Sequence, residues 1–244
     1  MTNKYGGIPE PIGLSWPALI PGTLIKRYKR FFVDVKLDSG RVVTAHCANT
    51  GTMLECCTPG RTVYLSYHDN PKRKLKYSWE IITMPASLVG INTLVPNRLI
   101  LKSIRQGLIE ELDGYDNIKA EVNTVNGSRI DLLLTKGESE RCFVEIKNCT
   151  LVKDGVAYFP DAVTSRGLKH LVELQKLASE GCRCLMFYLV QRMDAKIFKP
   201  ADHIDSAYCH ELRQASENGI EILVYDVIID LERIILGKRI PYIL

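Results

Sequence analysis

The chain has no apolar run long enough to cross a bilayer, which excludes an integral α-helical membrane protein. Its opening residues, Met1-Thr2-Asn3-Lys4-Tyr5-Gly6-Gly7, lack the apolar core of a secretory signal, so a cytosolic setting is expected. Its eight cysteines include no CxxC pair. Cys47, Cys56-Cys57 and Cys182-Arg183-Cys184 do not have the spacing of zinc ligands, and a cytosolic setting argues against disulfides. Cys142 and Cys184 sit inside apolar runs and read as small buried hydrophobes. No helix-turn-helix, zinc finger or paired recognition element is present, so nothing in the chain is built to read base sequence.

What is present is an uneven charge. The 244 residues carry a formal net charge of +4, yet residues 1–90 hold 12 Lys/Arg against 6 Asp/Glu. The basic excess therefore belongs to one region, and such asymmetry points to a polyanionic partner. That region reads as strands after a loose tail over residues 1–22. The long run Thr23–Leu37 is followed by an Asp38-Ser39-Gly40 turn, then by Arg41–Cys47, Thr62–Tyr67 and Leu75–Met84. About five strands over residues 23–86 predict a small closed barrel of the OB type. Its cations form two groups, Lys26, Arg27, Lys29 and Arg30, then Lys72, Arg73, Lys74 and Lys76. Cations in this pattern neutralise phosphates and predict nucleic-acid contact. Tyr28, Phe31, Tyr64, Tyr67, Tyr77 and Trp79 interleave with them. They are expected in the barrel core more than as platforms on which bases stack.

Residues 87–244 change character. Val89–Val95 is apolar and extended, and Pro96-Asn97 opens an amphipathic helix expected to run to about Leu112. Three strands follow, Ile118–Val125, Arg129–Thr135 and Cys142–Cys149, the first two joined by an Asn126-Gly127 turn. Ser165–Glu180 reads as a helix closed by Gly181, Arg183–Val190 as a buried strand, Ile204–Asn218 as a helix closed by Gly219, and Ile220–Ile229 as the last strand. The order predicts a mixed α/β sheet flanked by helices, with antiparallel pairing first and crossovers after it.

The chemistry sits on the second and third of these strands. Asp131 lies in Arg129-Ile130-Asp131-Leu132-Leu133-Leu134, and Glu145 and Lys147 lie in Phe143-Val144-Glu145-Ile146-Lys147. Side chains alternate along a strand, so Glu145 and Lys147 leave one face, and hairpin pairing brings Asp131 beside them. Apolar flanks predict that this face is partly covered, and a covered acid cluster is costly unless it has partners. Two carboxylates and an ammonium on one face make a divalent-metal site with a charged helper, an arrangement able to cut phosphodiesters. Asp131 and Glu145 would hold Mg²⁺ or Mn²⁺, and Lys147 would orient the attacking water. Arg166, at a helix start, suits a phosphate. Glu110, Glu111 and Glu121 are each open as a further carboxylate.

A helix, a meander carrying Asp…Glu-x-Lys, then a helix and a strand resembles the core of the PD-(D/E)xK nuclease superfamily. A closer resemblance rests on Arg27-Tyr28-Lys29-Arg30-Phe31, Ala45-His46-Cys47-Ala48-Asn49-Thr50-Gly51, Val95-Pro96-Asn97, Phe159-Pro160-Asp161-Ala162-Val163-Thr164 and Arg166-Gly167-Leu168-Lys169-His170-Leu171. In these strings the chain resembles the bacterial sugar fermentation stimulation protein family. The resemblance implies an OB-like domain followed by a restriction-endonuclease-like domain, DNA binding without sequence specificity, and a link to the regulation of maltose metabolism. It also draws in Lys169 and His170, with His170 either a site residue or a core-edge histidine. The alternative to a nuclease is a DNA-binding regulator of sugar metabolism whose nuclease fold is only a scaffold. RNA stays open as a partner, as does the oligomeric state, a dimer included.

Overall fold

The computed structural model describes residues 12–125 and 127–244; most of the expected N-terminal tail and Asn126 of the expected turn lie outside the described residues. The tail ends sooner than its composition suggests. Strand β1 (Leu14–Ser15) pairs antiparallel near the far end of the chain, Leu14 beside Ile234, and β2 (Leu19–Tyr28) begins before Gly22. The expected single run Thr23–Leu37 is two strands, β2 and β3 (Phe32–Leu37). Lys29 and Arg30 turn the chain between them at φ 48° and 63°. Glycine or asparagine usually marks such a turn, and neither stands there, so the pattern hides it.

The barrel is completed by β4 (Val42–His46), β5 (Thr62–Tyr67), β6 (Tyr77–Thr83) and β7 (Leu88–Gly90). The strand order is β4-β3-β2-β5-β6-β7, and a β4–β6 pairing closes the five strands β2–β6 into an OB-like barrel. Val33, Val35, Val43, Val63, Leu65 and Trp79 fill it with no exposed surface of consequence. The segment expected to open the second region instead contributes β7 to the barrel sheet, Val89 beside Ile82.

Next come α1 (Val95–Arg105), β8 (Asn117–Asn123), β9 (Arg129–Lys136), β10 (Glu140–Cys149), β11 (Leu151–Lys153), β12 (Val156–Phe159), α2 (Ser165–Ser179), β13 (Arg183–Val190), β14 (Ile197–Pro200), α3 (Ser206–Glu217), β15 (Glu221–Ile229) and β16 (Arg233–Arg239). Helix α1 stops at Arg105 and not near Leu112, because Gly107 takes φ 66° and the apolar spacing resumes in a separate 3-10 turn, Glu110–Leu112. Strand β15 is not the last: Asp230 Oδ1 accepts from the backbone N–H of Glu232 and Arg233, and this turn sends β16 back antiparallel. Strands β11, β12 and β14 form a small sheet of their own, too short to announce itself in the sequence.

The main sheet has the order β1-β16-β15-β13-β10-β9-β8, antiparallel at both edges and parallel at its centre. Its two faces bury different partners. Leu132, Leu134, Val144 and Ile146 pack with α1 residues Leu99, Ile100 and Ile104, in a cluster that the barrel's Ile81 joins. Phe143, Met186 and Tyr188 pack with Leu171 and Leu174 of α2 and Tyr208 and Leu212 of α3. A helix face of this kind contributes on the order of 1.5–3 kcal/mol for each large apolar side chain it removes from water.

Candidate active site and nucleic-acid surface

The alternation of β10 sets the site. Cys142, Val144 and Ile146 face α1, so Phe143, Glu145 and Lys147 face α2. Pairing of β9 with β10 ends at Leu132–Val144, so Asp131 and Glu145 come next in register where the ladder has opened. Ile130 packs on the α2 side while Leu132 packs on the α1 side, so the period-two pattern breaks at Asp131. The Asp131 carboxylate enters the gap. Oδ2 accepts from the backbone N–H of Ile146 at 2.8 Å, and Oδ1 accepts from Asn97 Nδ2 of α1 at 2.7 Å. Burial, and then the nearby Glu145 charge, push the Asp131 carboxyl above its ordinary range.

Glu145 is 2 % exposed. Its Oε1 accepts from Lys147 Nζ at 2.6 Å and from His170 Nδ1 on α2. Burial alone would raise its proton affinity, but Lys147 and His170 outweigh burial and hold it below the usual range. The other oxygen, Oε2, is buried without a hydrogen-bond partner among the described residues. An unpaired carboxylate oxygen in a dry site costs several kcal/mol of hydration unless something else neutralises it. Among the described residues no group of three His, Cys, Asp or Glu is placed to hold a metal. Two carboxylates with one orphaned oxygen nevertheless suit a hard cation that keeps most of its own waters. Sequence reasoning missed Asn97, although it stands in one of the strings that carried the family resemblance.

Beside His170 lies a cleft of about 430 Å³ whose walls include Asn123, Ser128, Arg129, Arg166, Lys169 and His170. Arg166 and Lys169 are exposed, and Arg166 Nε donates to His170 Nε2 at 3.4 Å. Two of the expected accessory acids are elsewhere. Glu111 pairs with Arg239 at 2.8 Å and accepts from the Tyr225 hydroxyl at 2.9 Å. Its carbonyl takes Arg183, whose partner in register is Cys142, so it sits toward the other end of β10 from the site. Glu110 is exposed on the same 3-10 turn, and the helix that was to carry both has already ended. Glu121 is next to Asp131 in register, but at φ 58° it turns outward to Arg129 at 2.7 Å.

On the barrel, Lys26, Lys29, Arg30, Lys72 and Lys74 are exposed, Arg73 donates to Ser78 Oγ at 2.8 Å and Lys76 to the Asn70 carbonyl at 2.9 Å. Arg27 departs from the expected surface. Its guanidinium donates to the carbonyls of Arg30, Thr52, Asn49 and Gly51, so it clamps the loop after β4. That loop meets the second domain. Met53 N–H donates to Asp161 Oδ2 at 3.0 Å, and the Thr52 hydroxyl donates to the Asp161 carbonyl. A Cβ on Gly51 would lie 2.4 Å from the Asp161 carboxylate, so a larger residue there would have to push aside the carboxylate that accepts from Met53 N–H. The thiols are free. Burial pushes Cys56 up to about 12 and Cys142 up to about 11, which keeps both protonated.

Fold and site together define an OB-like barrel followed by a restriction-endonuclease-like α/β domain that carries an acid–acid–lysine cluster. Residues 25–91 match the SfsA N-terminal OB domain, and residues 94–233 match the sugar fermentation stimulation protein RE domain. The chain is 51% identical over 223 residues to the sugar fermentation stimulation protein homolog of Geobacter sulfurreducens, covering 91% of this chain and 95% of that one. It is 49% identical over 237 residues to the homolog of Citrifermentans bemidjiense, covering 97% and 99%. The structure of Pyrococcus furiosus SfsA in complex with Ca²⁺ superposes with a TM-score of 0.87 at 28% identity, over 96% of this chain and 100% of that one. The chain belongs to the sugar fermentation stimulation protein family.

Proposed function

We propose that this protein is a metal-dependent nuclease that binds DNA without sequence specificity and hydrolyses its phosphodiesters. The observation that carries the reading is the Oε2 of Glu145, buried and without a partner among the described residues, beside Asp131 and Lys147 and next to a basic cleft. Asp131 and Glu145 would hold Mg²⁺ or Mn²⁺, with Ca²⁺ in the Pyrococcus relative as support for a divalent cation. A bound cation would supply positive charge at the reacting phosphate and make a water more acidic. Asn97 and the Ile146 N–H fix the Asp131 carboxylate, and Lys147 and His170 fix that of Glu145. Lys147 orients the water and offsets charge on the phosphate. Arg166 and Lys169 grip the backbone in the cleft, and the cations of the barrel hold it further along. Among the described residues no helix is long and apolar enough to cross a membrane. A cytosolic setting would keep the eight cysteines as thiols.

The competing reading is a DNA-binding regulator of maltose metabolism with a silent nuclease fold. It is favoured by one observation: no three-ligand metal cluster exists among the described residues. Incubation with Mn²⁺ or Mg²⁺ and single- or double-stranded DNA and RNA decides between them, with Asp131→Ala and Lys147→Ala alongside the wild type. Cleavage lost in both variants supports the nuclease. Binding without cleavage of any substrate supports the regulator.

A further inference from the structure

Strand pairing brings the two basic groups of the barrel to one end. Tyr28 and Phe32 close the β2–β3 hairpin, and Phe32 lies beside His46 at the end of β4. Ala45 and His46 lie beside Tyr77 and Ser78 at the start of β6, and Tyr67 ends β5 opposite Tyr77. The loop carrying Lys72 and Lys74 joins those last two strands. Aromatic rings expected in the core stand at this end in the open. Tyr28 is 36 % exposed, Phe31 45 % and Tyr67 48 %, while Trp79 alone of the six is fully buried.

Each exposed ring is held by a second one. Tyr28 stacks on Phe32 with centroids 5.5 Å apart, and Phe31 lies parallel to His46 within 5° at 6.4 Å. Tyr67 meets Tyr77 edge-on at 5.3 Å. Single exposed apolar residues are ordinary on protein surfaces, but three oriented rings at one barrel end, set among cations, are not. Burial and the Arg73 charge lower the proton affinity of His46, which favours the neutral ring against Phe31. Cations around exposed rings complement a chain that offers both phosphates and flat apolar faces. In a duplex the base faces are hidden against one another, and only an unpaired strand presents them.

We propose that this barrel end is a binding site for single-stranded DNA, with Phe31 and Tyr67 stacking unpaired bases while Lys29, Arg30, Lys72 and Lys74 neutralise the phosphates. The proposal rests on the nucleic-acid reading above and adds to it the form of the strand. The site is tied to the catalytic domain: the loop clamped by Arg27 docks on Asp161, just before α2, which carries Arg166 and His170.

Fluorescence anisotropy with labelled oligothymidylate, and with a hairpin duplex of equal charge, tests it on the full chain. Phe31→Ala and Tyr67→Ala should each weaken single-strand binding about fivefold to about a hundredfold, the worth of one stacked base, and leave duplex binding unchanged. Phe31→Trp should keep the affinity and show quenched tryptophan emission on oligothymidylate. Both positions are exposed, and a thermal melt checks that the variants fold. Unchanged single-strand affinity in both alanine variants, or an equal loss on the duplex, overturns the stacking site and leaves the nuclease reading standing. A wild type that binds neither probe overturns both.

Discussion

Lys147 Nζ lies 2.6 Å from Oε1 of Glu145, two residues back on the same strand face. The pair is nearly dry, with side chains 13 % and 3 % exposed, so the ammonium both neutralises the carboxylate and fixes which oxygen stays open. Removing Lys147 leaves the buried Glu145 carboxylate with His170 as its remaining partner at Oε1. Lys147→Met keeps the length of the side chain and deletes the charge. Hydrolysis in saturating Mn²⁺ should fall at least about a hundredfold, the usual contribution of a positioned proton-transfer or charge-stabilising group. Affinity for the nucleic acid, measured in Ca²⁺, should hold within about twofold. A variant that cuts at the wild-type rate places the helper elsewhere.

His170 belongs to the same arrangement by a different route. A carboxylate can only accept, so His170 donates from Nδ1, and Arg166 donates to its Nε2. The two contacts hold the ring in the orientation that fixes Glu145. His170→Ala should weaken Mn²⁺ binding about 10- to 100-fold by calorimetry without any nucleic acid present, the range for groups that orient a metal ligand. His170→Asn, which keeps a donor near the position of Nδ1, should recover part of the loss. Equal Mn²⁺ affinity in all three proteins would return His170 to the core edge.

Asp131 and Glu145 bend stability with pH in opposite senses. The Asp131 carboxyl is raised above its ordinary 3.8, so as pH rises through 3.8 the unfolded chain ionises first and the fold loses stability up to the raised value. Glu145 is lowered from 4.5, so its contribution is present above 4.5 and is lost as pH falls through the lowered value. Asp131→Asn removes only the first effect. Without added metal, the variant should gain on the wild type from about pH 4 upward and melt at a higher temperature at pH 7. Adding Mn²⁺ should raise the wild-type melting temperature and leave that of Asp131→Asn unmoved. A less stable variant at pH 7 would show that its hydrogen bonds matter more than its charge.

Much of this was legible in the sequence where local pattern and tertiary demand agree. The alternation of Phe143–Lys147 already placed Glu145 and Lys147 on one covered face, and Gly181 and Gly219, at φ 87° and 88°, closed the helices where they were expected to. What stayed hidden depends on contacts distant in sequence. Asn97 reaches Asp131 across 34 residues, and β1 finds its partner only once β16 exists. The exposed rings depart from the expected core because residue type alone does not decide burial, and Phe31 and Tyr67 carry no local mark that separates them from Trp79. Glu110 and Glu111 were drawn into the site by a helix that stops short at Gly107. Glu111→Gln should accordingly leave the hydrolysis rate unchanged, as a steady-state assay would show, and lower stability by less than about 1 kcal/mol.

Arg27 separates folding from binding within one basic run. Its guanidinium donates to four backbone carbonyls, three of them in the loop that docks on Asp161. A phosphate could take it only at the expense of those bonds, so it is a clamp, and on the proposed function its exposed neighbours Lys26, Lys29 and Arg30 would meet the phosphates. Arg27→Lys cannot fork to several carbonyls at once and should cost about 2 kcal/mol in chemical unfolding. The salt dependence of DNA binding should be the same as in the wild type, because no phosphate contact is lost. Lys72→Ala and Lys74→Ala should do the reverse: unfolding midpoints hold, and each flattens the slope of log K against log salt by roughly one. A flattened slope in Arg27→Lys, with its stability intact, would return Arg27 to the DNA.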